Sequence, residues 1–178
     1  MLTFPNIITA MITPFHEDGS VNYEAFVDLA KKYADEGAGI LVAATTGEGA
    51  VMTEDEKLKL FKMTADALKD KTLVMGNVGT NNTAQSIALA KKAEETGVDA
   101  ILCIVPYYNK PNQEGCYAHF AAIAKSTKLP IFIYNVPGRT GGKIEPPTVC
   151  KLAHDFPNII GLKDASGDLD YAGYVAAN

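Results

Sequence analysis

The sequence predicts a parallel α/β fold, read as an eight-stranded (β/α)8 or TIM barrel that stops after about six βα units. Three observations lead there. Six short apolar runs alternate with stretches of helical, 3.6-residue periodicity. The runs are apolar on both faces, as strands covered by helices must be. The turn after the first run, Thr13-Pro14-Phe15, carries none of the glycines that open a doubly wound nucleotide-binding sheet.

Strands are expected over residues 7–12, 39–43, 72–76, 100–104, 131–134 and 159–163. The first helix is expected from Tyr23 to about Glu36, with Gly37 just beyond it as a left-handed cap. Thr53 followed three residues later by Glu56 forms a capping box, which sets the start of the second helix. The third helix is expected over about 83–95, closing near Gly97, and the fourth over about 114–126, before Pro130 leads into the next strand. Pro146-Pro147 opens a fifth that runs to about His154, and Asp168 begins a sixth. A complete barrel of this kind takes ~250 residues. The chain has 178, so it reads as one partial catalytic domain, cut inside its sixth helix at Val175-Ala176-Ala177-Asn178, with two βα units and a C-terminal helical region outside it.

Composition narrows the function. A 47% hydrophobic content can fill a sizeable core. The net charge of -5, with no basic stripe interleaved with aromatics, argues against nucleic acid as a partner. No apolar run approaches the ~20 residues of a membrane span, and Met1-Leu2-Thr3-Phe4-Pro5-Asn6 lacks the basic start and apolar core of a secretion signal. A cytoplasmic protein is expected. Cys103, Cys116 and Cys150 include no Cys-x-x-Cys pair, and His16, His119 and His154 fall in no metal-binding or triad pattern. Neither disulfides nor zinc are expected, and the histidines read as surface residues of helices or loops.

The chemistry concentrates at the ends of the apolar runs, where parallel α/β folds collect their active sites. Lys163 ends the sixth run, Ile159-Ile160-Gly161-Leu162-Lys163. In a barrel interior, desolvation would lower its pKa from about 10.4, toward the neutral amine that attacks a carbonyl. Tyr134 occupies the matching place in the fifth run. The alternative is a lysine that snorkels into water. After the second run, Ala44-Thr45-Thr46-Gly47-Glu48-Gly49 offers hydroxyls and backbone N–H groups to a small anion, or is an ordinary turn. Tyr107 and Tyr108, in Pro106-Tyr107-Tyr108-Asn109-Lys110-Pro111, serve packing, a subunit contact or catalysis. Arg139, in the glycine-rich turn Gly138-Arg139-Thr140-Gly141-Gly142, suits a bidentate grip on a carboxylate or a surface ion pair.

Taken together, Thr45-Thr46-Gly47-Glu48, the Pro106 to Pro111 segment, Tyr134-Asn135-Val136-Pro137-Gly138-Arg139-Thr140 and Gly161-Leu162-Lys163-Asp164-Ala165-Ser166-Gly167-Asp168 resemble the dihydrodipicolinate synthase (4-hydroxy-tetrahydrodipicolinate synthase) family. The likeness runs in order and spacing from Ile8 to the last residue. It implies a class I aldolase-type lyase of lysine and diaminopimelate biosynthesis, which condenses pyruvate with L-aspartate semialdehyde on a (β/α)8 barrel. By resemblance Lys163 is the Schiff-base lysine, and Tyr134 the proton donor and acceptor, with Thr45 and Tyr108 completing its relay. Thr46 holds the pyruvate carboxylate and Arg139 the carboxylate of the semialdehyde. The imine withdraws electrons itself, so no metal or organic cofactor is implied. In the family Tyr107 lies at a dimer contact and Tyr108 is lent by a neighbouring subunit, which implies a homo-oligomer, dimer or tetramer. N-acetylneuraminate lyase and keto-deoxy sugar acid aldolases of the same superfamily share the lysine and tyrosine, and Arg139 in its Tyr-x-Val-Pro-Gly-Arg setting favours the synthase over them. An inactive fragment serving only in assembly is the remaining alternative. Ala44 stands where the family has glycine, and Gln85 and Glu54 stand where lysine-sensitive relatives carry other polar residues, which leaves feedback by lysine open.

Overall fold

A computed structural model describes residues 4–178. Six strands and seven helices follow along them, each strand trailed by one helix except β5, which is trailed by two: β1 (Ile8–Ala10), α1 (Tyr23–Asp35), β2 (Gly39–Val42), α2 (Glu54–Leu68), β3 (Val74–Asn77), α3 (Thr83–Glu94), β4 (Ala100–Ile104), α4 (Gln113–Ala124), β5 (Ile131–Asn135), α5 (Pro137–Thr140), α6 (Pro146–Asp155), β6 (Ile159–Asp164) and α7 (Leu169–Ala177). The strands are hydrogen-bonded in sequence order, β1-β2-β3-β4-β5-β6. The pairs β1–β2, β2–β3 and β5–β6 are parallel. This is the order expected of the first six units of a (β/α)8 barrel. The chain divides into two compact units, one of residues up to Asn77 with Lys92–Ile101, the other of Val78–Lys91 with Leu102–Asn178.

In the first unit, Phe26, Ile40, Leu60, Phe61, Leu68 and Met75 are buried. Helix α1 starts where Asn22 accepts a bond from the Ala25 amide, and Gly37 follows it with φ +81°. Helix α2 has the expected capping box: Thr53 accepts from the Glu56 amide, and the Glu56 carboxylate accepts from the Thr53 amide at 2.8 Å. That bond and the Thr53 hydroxyl hold the Glu56 carboxyl below its ordinary range. β2, β5 and β6 each differ from the expectation by one residue at their C-terminal end, and two strands differ by two residues at one end. β1 is three residues long, and Ile12 beyond it is exposed; β3 lies two residues later at its start, because Thr72 turns its hydroxyl to the Ala38 carbonyl before the ladder begins.

In the second unit, Leu102, Phe120, Ile123, Ile131, Ile133 and Leu152 form the core. Helix α4 begins one residue earlier than expected, since Asn112 caps it by accepting from the Gly115 amide at 2.8 Å. The expectation of a surface His119 is overturned: it is 4% exposed, its Nδ1 lies 2.8 Å from the Thr83 hydroxyl, and burial pushes its pKa down to about 4. His119 falls on the same face of α4 as Cys116 and Phe120, and the apolar helix it belongs to left no polar stripe to turn it outward. Cys103 and Cys116 are buried free thiols; burial raises Cys103 to about 12, which leaves it chemically inert.

Candidate active site

The centre of the site comes from β5 and β6. The two strands start in simple register, Ile131 opposite Ile159, but Phe132 then pairs with Gly161, so Ile160 is an extra residue in β6. From there Tyr134 faces Lys163 and Asn135 faces Asp164. Without the bulge Lys163 would sit opposite Asn135. Because side chains alternate with a period of two, that slip would carry the lysine to the other face of the sheet. Gly161 permits the arrangement, since a Cβ there would lie 2.3 Å from the Phe132 ring.

The bulge sets the Lys163 Nζ 3.7 Å from the centroid of the Tyr134 ring. A cation over a tyrosine face is held by about 0.5–2 kcal/mol, enough to favour one rotamer of a flexible stem. Tyr134 is buried and Lys163 half-buried. The amine and the phenol, inferred from strand position alone, are thus in contact.

Tyr108 and Arg139 belong to neighbouring loops of the same unit. The Asn109 amide donates to the Tyr107 carbonyl at 2.8 Å around Tyr108, whose φ of +69° marks a γ-turn of the rare, strained hand. Tyr108 is 88% exposed, and its amide donates to the Thr140 carbonyl. The turn foreseen around Arg139 is instead one turn of helix, α5, with Pro137 in its first turn and Gly141 closing it at φ +68°. Proline fixes the helical φ that the flanking glycines do not, and the Thr140 hydroxyl donates back to the Val136 carbonyl. Arg139 is exposed and makes no ion pair among the described residues.

Thr45 and Thr46 lie in the first unit, exposed on the turn after β2. Part of the anion-binding capacity expected of this turn is already used: the Glu48 amide donates to the Thr45 carbonyl and the Gly49 amide to the Ala44 carbonyl, each at 3.1 Å. The threonine hydroxyls remain at the surface. Strain falls on Ala43 and Glu48, both at φ +55°, and not on Ala44. Gly47 and Gly49 are needed for close approach: a Cβ at Gly49 would stand 1.8 Å from the Ala43 carbonyl oxygen.

Sequence reasoning passed over Ile160, Gly161, Asn135 and Asp164. The only signal for the last two was that a polar residue directly follows the tyrosine and the lysine at matched strand ends.

A sequence model of the dihydrodipicolinate synthetase family matches residues 3–177. The 4-hydroxy-tetrahydrodipicolinate synthase of Bacillus subtilis is 46% identical over 170 residues, which are 95% of this chain and 59% of that protein. Among solved structures, a dihydrodipicolinate synthase from Bacillus anthracis superposes with a TM-score of 0.96 at 42% identity, covering 99% of this chain and 61% of the other. The chloride-inhibited dihydrodipicolinate synthase of Acinetobacter baumannii, solved in complex with pyruvate, gives 0.93 at 37% identity, covering 98% and 60%. The chain therefore spans about three fifths of the length of these relatives, and its fold is a (β/α)8 barrel truncated after six units. With a family model matching residues 3–177, the chain belongs to the dihydrodipicolinate synthetase family.

Proposed function

We propose that the chain is the N-terminal portion of a 4-hydroxy-tetrahydrodipicolinate synthase, a cytoplasmic Schiff-base lyase that joins pyruvate to L-aspartate semialdehyde for lysine and diaminopimelate biosynthesis. The observation that carries this reading is the Lys163 amine 3.7 Å from the Tyr134 ring, on strand ends whose register places them together. The Lys163 ammonium first gives up a proton to solvent; the neutral amine adds to the keto carbon of pyruvate and water leaves, giving an imine. The imine draws electrons from the methyl carbon, which loses a proton; the resulting enamine carbon attacks the aldehyde carbon of the semialdehyde, the aldehyde oxygen takes up a proton, and the amino group of the condensed product displaces Lys163 from the imine carbon, closing the ring and freeing the amine. Tyr134 moves these protons, with Thr45 and Tyr108 completing its relay. Thr46 holds the pyruvate carboxylate. Arg139, with no carboxylate partner among the described residues, is free to hold the carboxylate of the second substrate. The imine supplies the electron withdrawal, so the reading calls for no metal or organic cofactor.

The pyruvate complex of the Acinetobacter relative supports the first substrate. Tyr108 supports a homo-oligomer, dimer or tetramer, because a strained, solvent-facing tyrosine is better suited to a neighbouring copy than to its own pocket.

Borohydride reduction in the presence of pyruvate tests the proposal. A mass gain of about 72 Da on Lys163, pyruvate less water plus two hydrogens, is the expected result, and Lys163→Ala should lose it. A folded protein that forms no adduct, or forms it on another lysine, would refute the assignment. Condensation with aspartate semialdehyde, without cleavage of sialic acid, separates the synthase from the sugar acid aldolases.

A further inference from the structure

We propose that Asn135 and Asp164 form a positioning pair that holds the Lys163 amine against Tyr134 and thereby sets the rate of imine formation; the inference rests on the Schiff-base reading above. The two residues directly follow Tyr134 and Lys163 and face each other across the same ladder. Alternation along a strand turns them to the opposite side of the sheet from the amine and the phenol. They therefore grip the strand ends from the face that substrate does not touch.

The grip has four hydrogen bonds. The Asn135 Nδ2 donates to Asp164 Oδ1 at 2.8 Å, and the Ala165 amide donates to the Asn135 carbonyl at 2.8 Å. The Ser166 hydroxyl donates to Asp164 Oδ2 at 2.6 Å and the Ser166 amide to Oδ1 at 3.3 Å. Asn135 is 0% exposed, and its Oδ1 has no partner among the described residues. A buried acceptor without a donor is uncommon and calls for a reason. An aliphatic residue would fill that space without the orphan, but could not hold the carboxylate. Turning the amide over would set its oxygen against Asp164, so the carboxylate also fixes which way the amide lies. The register shift at Ile160 aims Lys163 at the start of the strand; the Asn135–Asp164 pair locks that aim at its end.

The measurement is the rate of borohydride-trapped adduct at Lys163 under limiting pyruvate, in the unmodified protein and in Asp164→Ala, Asp164→Asn and Ser166→Ala, with far-UV circular dichroism as the check on folding. A misplacement of about 1 Å costs up to about 100-fold in rate, so Asp164→Ala should slow trapping by about 10- to 100-fold. Asp164→Asn, which keeps an oxygen for the Asn135 amide, should return to within about threefold of the unmodified rate, and Ser166→Ala, which loses one bond, should slow it by about threefold. Rescue by the conservative variant is the result that a general loss of stability would not give. Unmodified protein that traps no pyruvate sinks the Schiff-base reading and this inference with it. Trapping at the unmodified rate in Ser166→Ala and in a folded Asp164→Ala overturns the positioning role alone, as does an Asp164→Asn variant as slow as Asp164→Ala. Should Asp164→Ala fail to fold, the other two variants decide.

Discussion

His119 is the residue whose environment departs furthest from what its position in the sequence suggests. Its ring is almost fully buried, its Nδ1 is engaged with Thr83, and its Nε2 has no partner among the described residues. The folded state keeps the ring neutral down to about pH 4, whereas an unfolded chain protonates it near 6.5. As pH falls through that window the unfolded state takes up a proton that the folded state refuses, so stability is lost on acidification and is fully present above it. The loss is of order 3 kcal/mol at most. Urea midpoints compared at about pH 7 and about pH 4 should therefore fall more for the natural sequence than for His119→Gln, which cannot titrate. Equal falls in the two proteins would show that the ring contributes nothing to acid sensitivity. Lys163 and Tyr134 stand at the other extreme: both were legible because a polar residue at the end of an apolar run is conspicuous, although only the run ending at Tyr134 is mostly buried and β6 is largely half-exposed.

Elements were legible wherever one short-range interaction decides them. The Thr53–Glu56 box fixes the start of α2, and Gly37 stops α1, because caps are local and their chemistry is written in neighbouring residues. Helix α5 was not, since Pro137-Gly138-Arg139-Thr140-Gly141 has the composition of a turn and becomes helical only through backbone bonds to Val136 and Pro137. The bulge in β6 was hidden for a different reason: the sixth run looks uniformly apolar, and which residue is extra depends on β5 across the ladder. Gly161 is the place to test its importance. In Gly161→Ala the new methyl would lie 2.3 Å from the Phe132 ring, so ring or strand must move. Overpacking of this kind costs about 1–3 kcal/mol. The variant should melt earlier and also trap pyruvate at least about tenfold more slowly, because the register that brings Lys163 to Tyr134 is disturbed. A lowered melting temperature with unaltered trapping would mean that the bulge serves packing only.

At the scale of the whole molecule, the strand order ends at β1 on one side and β6 on the other, and among the described residues each of these has a single neighbour in the sheet. The cadence of six βα units was readable from hydrophobic periodicity, but periodicity carries no information about what lies against a terminal strand. Ile7 and Ile12 flank β1 with exposures of 67% and 56%, and Ile160 in β6 is 43% exposed. Open, apolar edge strands recruit other strands, and folded proteins blunt them with charge, bulges or cover. The 178-residue polypeptide studied by itself should accordingly self-associate, with a light-scattering mass well above its own 19.0 kDa. Ile160→Lys places a charge on the β6 edge at a position already open to water, so it should reduce association while leaving the circular dichroism spectrum unchanged. Association driven by these edges is incompatible with a wild-type polypeptide that stays monomeric at about 50 µM and melts cooperatively, and equally with an Ile160→Lys variant that associates as strongly as its parent.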